Sequence, residues 1–318
     1  MDSKLLQQLS EESAALIAAL APHVLTVATD RARAGAAIAW RGPFVIAAAE
    51  AVAGAEQVRL RFTRAADGSL QEVEGKLAAV DLSTDVAVIA CPQLFEDAGA
   101  RAPLAVREPA REPVREPLRL GERVAIVAAD ARGPLVAWGS VRAVGPAWRS
   151  RRGGEIAQRL ELDAAVDGRF EGALVADLRG QAAALLVPGP RSWLGIPAAT
   201  IERVLATLER HGYLPRPYLG VRLQNLWLDR ETMTRYQRSS PRIAVIAGIE
   251  RGSPAAAAHL EPGDLIDTLD GREADGVDAL TRVLAAAAPG ASLTLGLRRG
   301  GQRQSLTLAL GERPRSQA

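Results

Sequence analysis

Apolar positions open the chain at helical spacing. Leu5, Leu6, Leu9, Ala14, Leu16, Ile17 and Leu20 recur among polar residues, with Glu11 and Glu12 between them, which predicts an amphipathic helix over residues 1–19. The period then shortens to that of strands. Residues 23–29, 35–40, 44–48, 57–63 and 86–91 are short apolar or alternating runs, and a second set follows at 123–128, 136–144, 160–162, 173–177 and 182–187. Glycine, proline or charged turns separate them at the spacing of a barrel or sandwich. Residues 198–211 return to helical spacing through Ile201, Val204, Leu205 and Leu208, and Gly212, Pro215 and Pro217 then stop the helix. This places a domain boundary at 212/213. Beyond it, residues 213–312 read as strands with one helix at 277–287, and 313–318 as a tail.

Between the two strand groups lies a connector near 101–118 with a tandem repeat: Arg107-Glu108-Pro109, Arg111-Glu112-Pro113 and Arg115-Glu116-Pro117. Proline every fourth residue forbids helix interior and sheet ladder alike, so the segment is expected to be extended and solvated, a stiff spacer between two barrels.

A length of 318 residues suits two domains. The chain holds 39 basic and 37 acidic residues, a net +2, and only Lys4 and Lys76 are lysines, so the arginine bias carries no surplus charge that would mark a nucleic-acid surface. Aromatics are 4% of residues, too sparse for a base-stacking platform. One cysteine, Cys91, excludes an intramolecular disulfide, and His23, His211 and His259 match no metal spacing. No metal or other cofactor is expected. No window approaches the roughly 20 apolar residues of a membrane span. The amphipathic start lacks a basic cap, a continuous apolar run and a cleavage site, so the expected compartment is the cytoplasm, or the periplasm if a leader has been removed.

Several stretches, in order, resemble the HtrA/DegP family of trypsin-like serine proteases with a C-terminal PDZ domain. Residues 44–55 (Phe44-Val45-Ile46-Ala47-Ala48-Ala49-Glu50-Ala51-Val52 and onward) look like the strand leading to the catalytic histidine. Asp81-Leu82-Ser83-Thr84-Asp85-Val86-Ala87-Val88-Ile89 is similar to the stretch holding the catalytic aspartate. Leu120-Gly121-Glu122-Arg123-Val124 and Gly139-Ser140-Val141 look like the first strands of a second barrel. Asp163-Ala164-Ala165-Val166 resembles the approach to the nucleophile loop, and Leu194-Gly195-Ile196-Pro197 the strand beside the specificity pocket. Further on, Tyr218-Leu219-Gly220-Val221 resembles a PDZ carboxylate-binding loop. Gly252-Ser253-Pro254-Ala255-Ala256 and Leu260-Glu261-Pro262-Gly263-Asp264-Leu265-Ile266 resemble the PDZ turn and strand. The resemblance implies a mainly β fold: a trypsin-like double β-barrel at 20–212 followed by an α+β PDZ domain at 213–312.

The chemistry implied by that family is not carried by the residues. A serine protease needs a hydroxyl, an imidazole to take its proton and a carboxylate to orient the imidazole. Asp85 stands at the carboxylate position, but Glu50 stands where the histidine belongs. The family's Gly-Asn-Ser-Gly-Gly-Pro is replaced by Asp167-Gly168-Arg169-Phe170-Glu171-Gly172-Ala173-Leu174, one residue short, which sets Phe170 or Glu171 at the serine. Phe170 in the serine's place is expected to fill the space of a scissile carbonyl, and the altered turn to lose the oxyanion hole. The expectation is a protease fold that no longer cuts, with no catalytic residues. An alternative is an atypical hydrolase, or a cation site, built on a Glu50, Asp85 and Glu171 carboxylate cluster, with Arg169 placed to neutralise it.

The PDZ half keeps what binding requires. The resemblance implies a groove that adds a peptide's C-terminal strand to a sheet edge, its carboxylate held by amides of a tight loop. Tyr218, Leu219, Gly220 and Val221 would form that loop, Val221–Leu223 the edge strand, and Val277, Leu280 and Leu284 the helix face favouring apolar C-termini. The expected role is a binding or scaffold subunit whose partner is a protein with an apolar C-terminus. A larger complex docked through the inactive barrel and a homo-oligomer stand as further expectations, as does a basic contact patch or mobile loop around Arg149, Arg151 and Arg152.

Overall fold

The computed structural model describes residues 3–30, 35–64, 68–96, 104–106 and 118–313. The Arg-Glu-Pro repeat lies outside these residues. The chain divides into two compact units, residues 1–148 with 155–214 and residues 149–154 with 215–318.

In the first unit, helix α1 (Ser3–Leu20) packs Leu16, Ile17 and Leu20 on the core and leaves Leu5, Leu6 and Leu9 at 51–62% exposure. Six strands then close a barrel: β1 (Val24–Ala28), β2 (Gly35–Arg41), β3 (Phe44–Ala48), β4 (Gln57–Thr63), β5 (Leu70–Asp81) and β6 (Val86–Ala90), in the order β1-β2-β3-β6-β5-β4. One-turn helices α2 (Ala49–Val52) and α3 (Gln93–Glu96) follow β3 and β6. The small, apolar residues of β2, β3 and β6 are buried almost without interruption, because the barrel covers one of their faces and its neighbours the other. Strand β5 has no counterpart in the sequence reading. Its exposed Glu72, Glu74 and Lys76 alternate with partly buried Val73 and Leu77, so it carries too few apolar positions to read as a strand.

A second closed barrel comprises β7 (Arg123–Asp130), β8 (Gly133–Gly145), β11 (Arg159–Ala164), β12 (Leu174–Asp177), β13 (Ala182–Pro188) and β14 (Trp193–Pro197), ordered β11-β14-β13-β12-β7-β8. The short strands β9 (Trp148–Arg149) and β10 (Glu155–Ile156) pair beside it. Helix α4 (Ala198–His211) buries Ile201, Val204, Leu205 and Leu208 in the core. It is tied to β2 by Arg41, which pairs with Glu202 (3.1 Å) and Glu209 (2.7 Å), and by the Trp40 indole N–H, which donates to Glu202 (2.6 Å).

The second unit is a sheet of β16 (Val221–Trp227), β17 (Arg242–Ile249), β18 (Leu265–Leu269), β20 (Ser292–Arg299) and β21 (Gln302–Ala309) in that order, with β19 (Arg272–Glu273) on β18. Strands β15 (Pro217–Tyr218) and β22 (Gly311–Glu312) pair separately. The reading of a single helix here is corrected to three: α5 (Arg230–Tyr236), α6 (Pro254–Ala257) and α7 (Gly276–Ala286). The first two are short. α5 buries none of its residues, so no apolar period marks it; the Asp229 carboxylate instead caps it by accepting the Thr232 N–H at 2.7 Å.

Candidate functional site

Strand pairing builds the first site. In the β3–β6 ladder Ala48 lies opposite Val86, so Glu50, on the turn after β3, and Asp85, just before β6, meet at one end of the barrel. The Asp85 carboxylate accepts the Glu50 N–H and its backbone carbonyl accepts the Ala49 N–H, both at 3.3 Å. Asp85 has φ 60°, a left-handed conformation that Asp tolerates better than most side chains. Its neighbour Asp81 fixes the preceding turn by accepting the Ser83 N–H (2.9 Å) and the Thr84 hydroxyl (2.7 Å).

The third carboxylate arrives on the loop between β11 and β12, which docks on the first barrel where the Ala36 N–H donates to the Glu171 carbonyl (2.8 Å). Burial raises the Asp85 pKa to about 6, with the charges of Glu50 and Glu171 adding to the effect and the Glu50 N–H opposing it. Burial, then the Glu50 charge, raises Glu171 as well. The structure therefore brings Glu50, Asp85 and Glu171 into one electrostatic neighbourhood.

Two expectations about this loop are corrected. Phe170 does not fill a carbonyl's space. It is 7% exposed and packed in a core cluster with Ala36, Val124, Ile126, Leu160 and Leu162. Arg169 does not neutralise the three carboxylates; it pairs with Asp167 (2.8 Å) and Asp130 (3.5 Å). Residues Gly168–Phe170 form one 3-10 turn capped by Asp167. As a result five successive amides are taken: Arg169 by the Asp167 carboxylate (2.9 Å), and Phe170, Glu171, Gly172 and Ala173 by the carbonyls of Asp167, Gly168, Leu186 and Phe170 at 2.8–3.3 Å. Among the described residues, no three His, Cys, Asp or Glu side chains are grouped to hold a metal ion. His23 ends the 3-10 turn before β1 and is buried, at 5% exposure.

The second site lies along β16, an edge strand of its sheet. Leu219 and Gly220 are buried, yet among the described residues their N–H groups meet no acceptor, whereas their carbonyls are taken by the N–H groups of Ala255 and Glu250 (both 2.9 Å). The Glu250 bond flanks the Val221–Ile249 pair, so the Val221 N–H also points away from β17. The N–H groups of three successive residues thus stay outside the strand ladder at this turn. Gly220 has φ +80°, and a β-carbon there would meet Ser253 at 2.1 Å, so only glycine closes this turn.

Tyr218 stands at the start of the loop, as expected. It is buried, with its hydroxyl donating to Glu250, and it fastens the loop. Val221, Leu223, Val277 and Leu284 are half-buried and pack on the core of the unit. Leu280, at 2% exposure, belongs to that core. Two residues that the sequence reading missed are Glu250, which holds the loop, and Asn225, whose side chain accepts the Val277 N–H (2.8 Å); neither carries a local sequence signal.

With this geometry in place, comparison with known proteins gives a uniform result. Residues 34–185 match the trypsin-like peptidase domain family and residues 217–310 the PDZ domain family. A probable periplasmic serine endoprotease DegP-like of Halomonas elongata is 31% identical over 122 residues, 38% of this chain and 25% of the relative. Periplasmic serine endoprotease DegP of Escherichia coli is 29% identical over 165 residues, 50% and 34%. The chain thus matches a quarter to about a third of the length of these relatives. Among solved structures, HtrA-type protease AlgW with decapeptide superposes with TM-score 0.60 at 22% identity, covering 95% of this chain and 99% of that one. The serine endoprotease from Yersinia pestis gives 0.60 at 19%, covering 94% and 97%. The fold and the two matches define a trypsin-like double barrel followed by a PDZ domain. In its two domains and their order the chain is similar to proteases of the HtrA/DegP type.

Proposed function

We propose that this chain is a non-catalytic member of its family that works as a binding or scaffold subunit, its PDZ groove holding the apolar C-terminus of a partner protein. One observation carries the reading: where the family's imidazole and hydroxyl would stand, the barrel presents Glu50 and Glu171 beside Asp85. Carboxylates supply neither an activated hydroxyl nor a general base matched to one. The loop amides 169–173, already bonded within the chain, leave no pair of donors for an oxyanion.

The binding half of the proposal is supported by the successive amides of residues 219–221, outside the ladder beside a sheet edge, and by apolar Val221, Leu223, Val277 and Leu284. The AlgW structure with a decapeptide lends the same support by analogy. The named relatives are periplasmic, and we place this chain in the periplasm in preference to the cytoplasm; no helix among the described residues is long and apolar enough to cross a membrane.

Isothermal titration of the full chain with a peptide ending in leucine or phenylalanine tests the reading. Binding is expected for the free carboxylate, with a loss of tenfold or more for the C-terminal amide. Equal binding of the two, or none of either, would overturn the groove assignment. The carboxylate-hydrolase alternative, favoured by the proximity of Glu50, Asp85 and Glu171, requires turnover that disappears in Glu50→Gln.

A further inference from the structure

The groove has a built end. Strand β16 exposes its backbone at alternate residues. The Val221–Ile249 pair is flanked by the Glu250-to-Gly220 bond. The N–H and carbonyl of Ile246, opposite Leu223, are both directed to the other side, bonding Asp264 (2.9 Å) and Gly263 (2.8 Å). Val221 and Leu223 therefore offer their own N–H and C=O to the open edge, and Asn225, opposite Ala244, is next in the same phase. A strand added antiparallel with its carboxylate at the 219–221 amides would set its terminal residue beside Val221 and the residue two before it beside Leu223. The residue four before the end would fall beside Asn225.

At Asn225 the route is occupied. Its side-chain oxygen accepts the Val277 N–H from the first turn of α7 at 2.8 Å. The approach is so close that a β-carbon on Gly276 (φ +67°) would lie 2.4 Å from that oxygen. The same end of α7 is tied to β17, where Arg242 bonds Asp275 (3.0 Å) and pairs with Asp278 (3.5 Å). Strand and helix are thus joined directly at this point by the Asn225 side chain.

We propose that Asn225 sets the length of peptide the groove reads: the four C-terminal residues dock as a strand, and the tie from Asn225 to α7 turns the preceding chain out of the groove. The inference rests on the peptide-binding reading above and adds a specificity-determining residue to it. Asn225 acts here as a stop, and its neighbour Trp227, 73% exposed at the strand's end, lies beyond it.

The test is a length series. Free-carboxylate peptides of two, four, six and ten residues sharing one apolar C-terminus are titrated into the full chain. Affinity is expected to rise steeply to four residues and then stay within about twofold to ten. In Asn225→Ala the six- and ten-residue peptides should gain tenfold or more over the four-residue one, while Asn225→Asp, which keeps the acceptor, should retain the plateau. A continued rise beyond four residues in the natural chain would overturn the proposal, and so would an unchanged plateau in Asn225→Ala shown by circular dichroism to be folded. Failure of every peptide to bind would instead sink the peptide-binding reading itself.

Discussion

Asp85 gives the sharpest quantitative test of whether this site is disused. In the folded chain its carboxyl titrates at about 6, against an ordinary 3.8, chiefly because it is buried. The folded state therefore disfavours the ionised form. Stability is full below the unfolded value, declines as pH rises from about 4 to about 6, and stays at the lower level above that. At pH 8 the buried charge costs the folded unit at most about 3 kcal/mol, from the differential ionisation alone. Asp85→Asn removes the charge while keeping an acceptor for the Glu50 N–H and a side chain tolerant of φ 60°. With partial solvent access discounted, the expected gain is about 2 kcal/mol, or about 4–8 °C in the melting of the barrel unit. Thermal unfolding of both proteins from pH 4 to pH 8 should show curves that converge at the acid end and separate with rising pH. Asp85→Ala, which loses the acceptor, should melt below Asp85→Asn throughout. A destabilised Asp85→Asn at pH 8 would instead mean that the charge is used, as in a working site.

Other outcomes follow from the same geometry. Asp267, buried between Arg238 (2.8 Å) and Arg298 (3.0 Å), should cost the PDZ unit about 3–5 kcal/mol as Asp267→Asn, measured by urea unfolding, since two guanidiniums lose their shared partner. Gly220→Ala forces a β-carbon against Ser253 and should abolish binding of free-carboxylate peptides in titration while the barrel melts as before. The double variant Glu50→His, Glu171→Ser should remain inactive toward a chromogenic ester, because the amides of residues 169–173 stay bonded within the loop.

Much of this architecture is legible along the chain because its barrel strands are short apolar runs cut by glycine and charge, and because α4 ends on Gly212 and prolines. Strand β5 escapes such reading, since its exposed Glu72, Glu74 and Lys76 outnumber what it buries. Helix α5 escapes because a cap and not a buried face defines it. At the candidate site the one-residue gap leaves Phe170 and Glu171 equivalent in sequence. Only burial separates them, sending the ring into the core and the carboxylate toward Glu50. Arg169 shows the same limit: its choice of Asp167 and Asp130 depends on where the 3-10 turn points. The Asn225–Val277 contact joins residues 52 apart and has no local signature at all.

The proposed protein is one whose barrel has ceased to cut while its PDZ groove still holds a C-terminus. The most direct measurement is to incubate the full chain with an unfolded reporter protein, with and without a saturating apolar C-terminal peptide, and to follow the products by mass spectrometry. An intact reporter is expected in both samples, with a peptide that binds without being processed. Cleavage that persists through purification and is lost in Glu50→Gln or Glu171→Gln would contradict it, and would make the three carboxylates an active site.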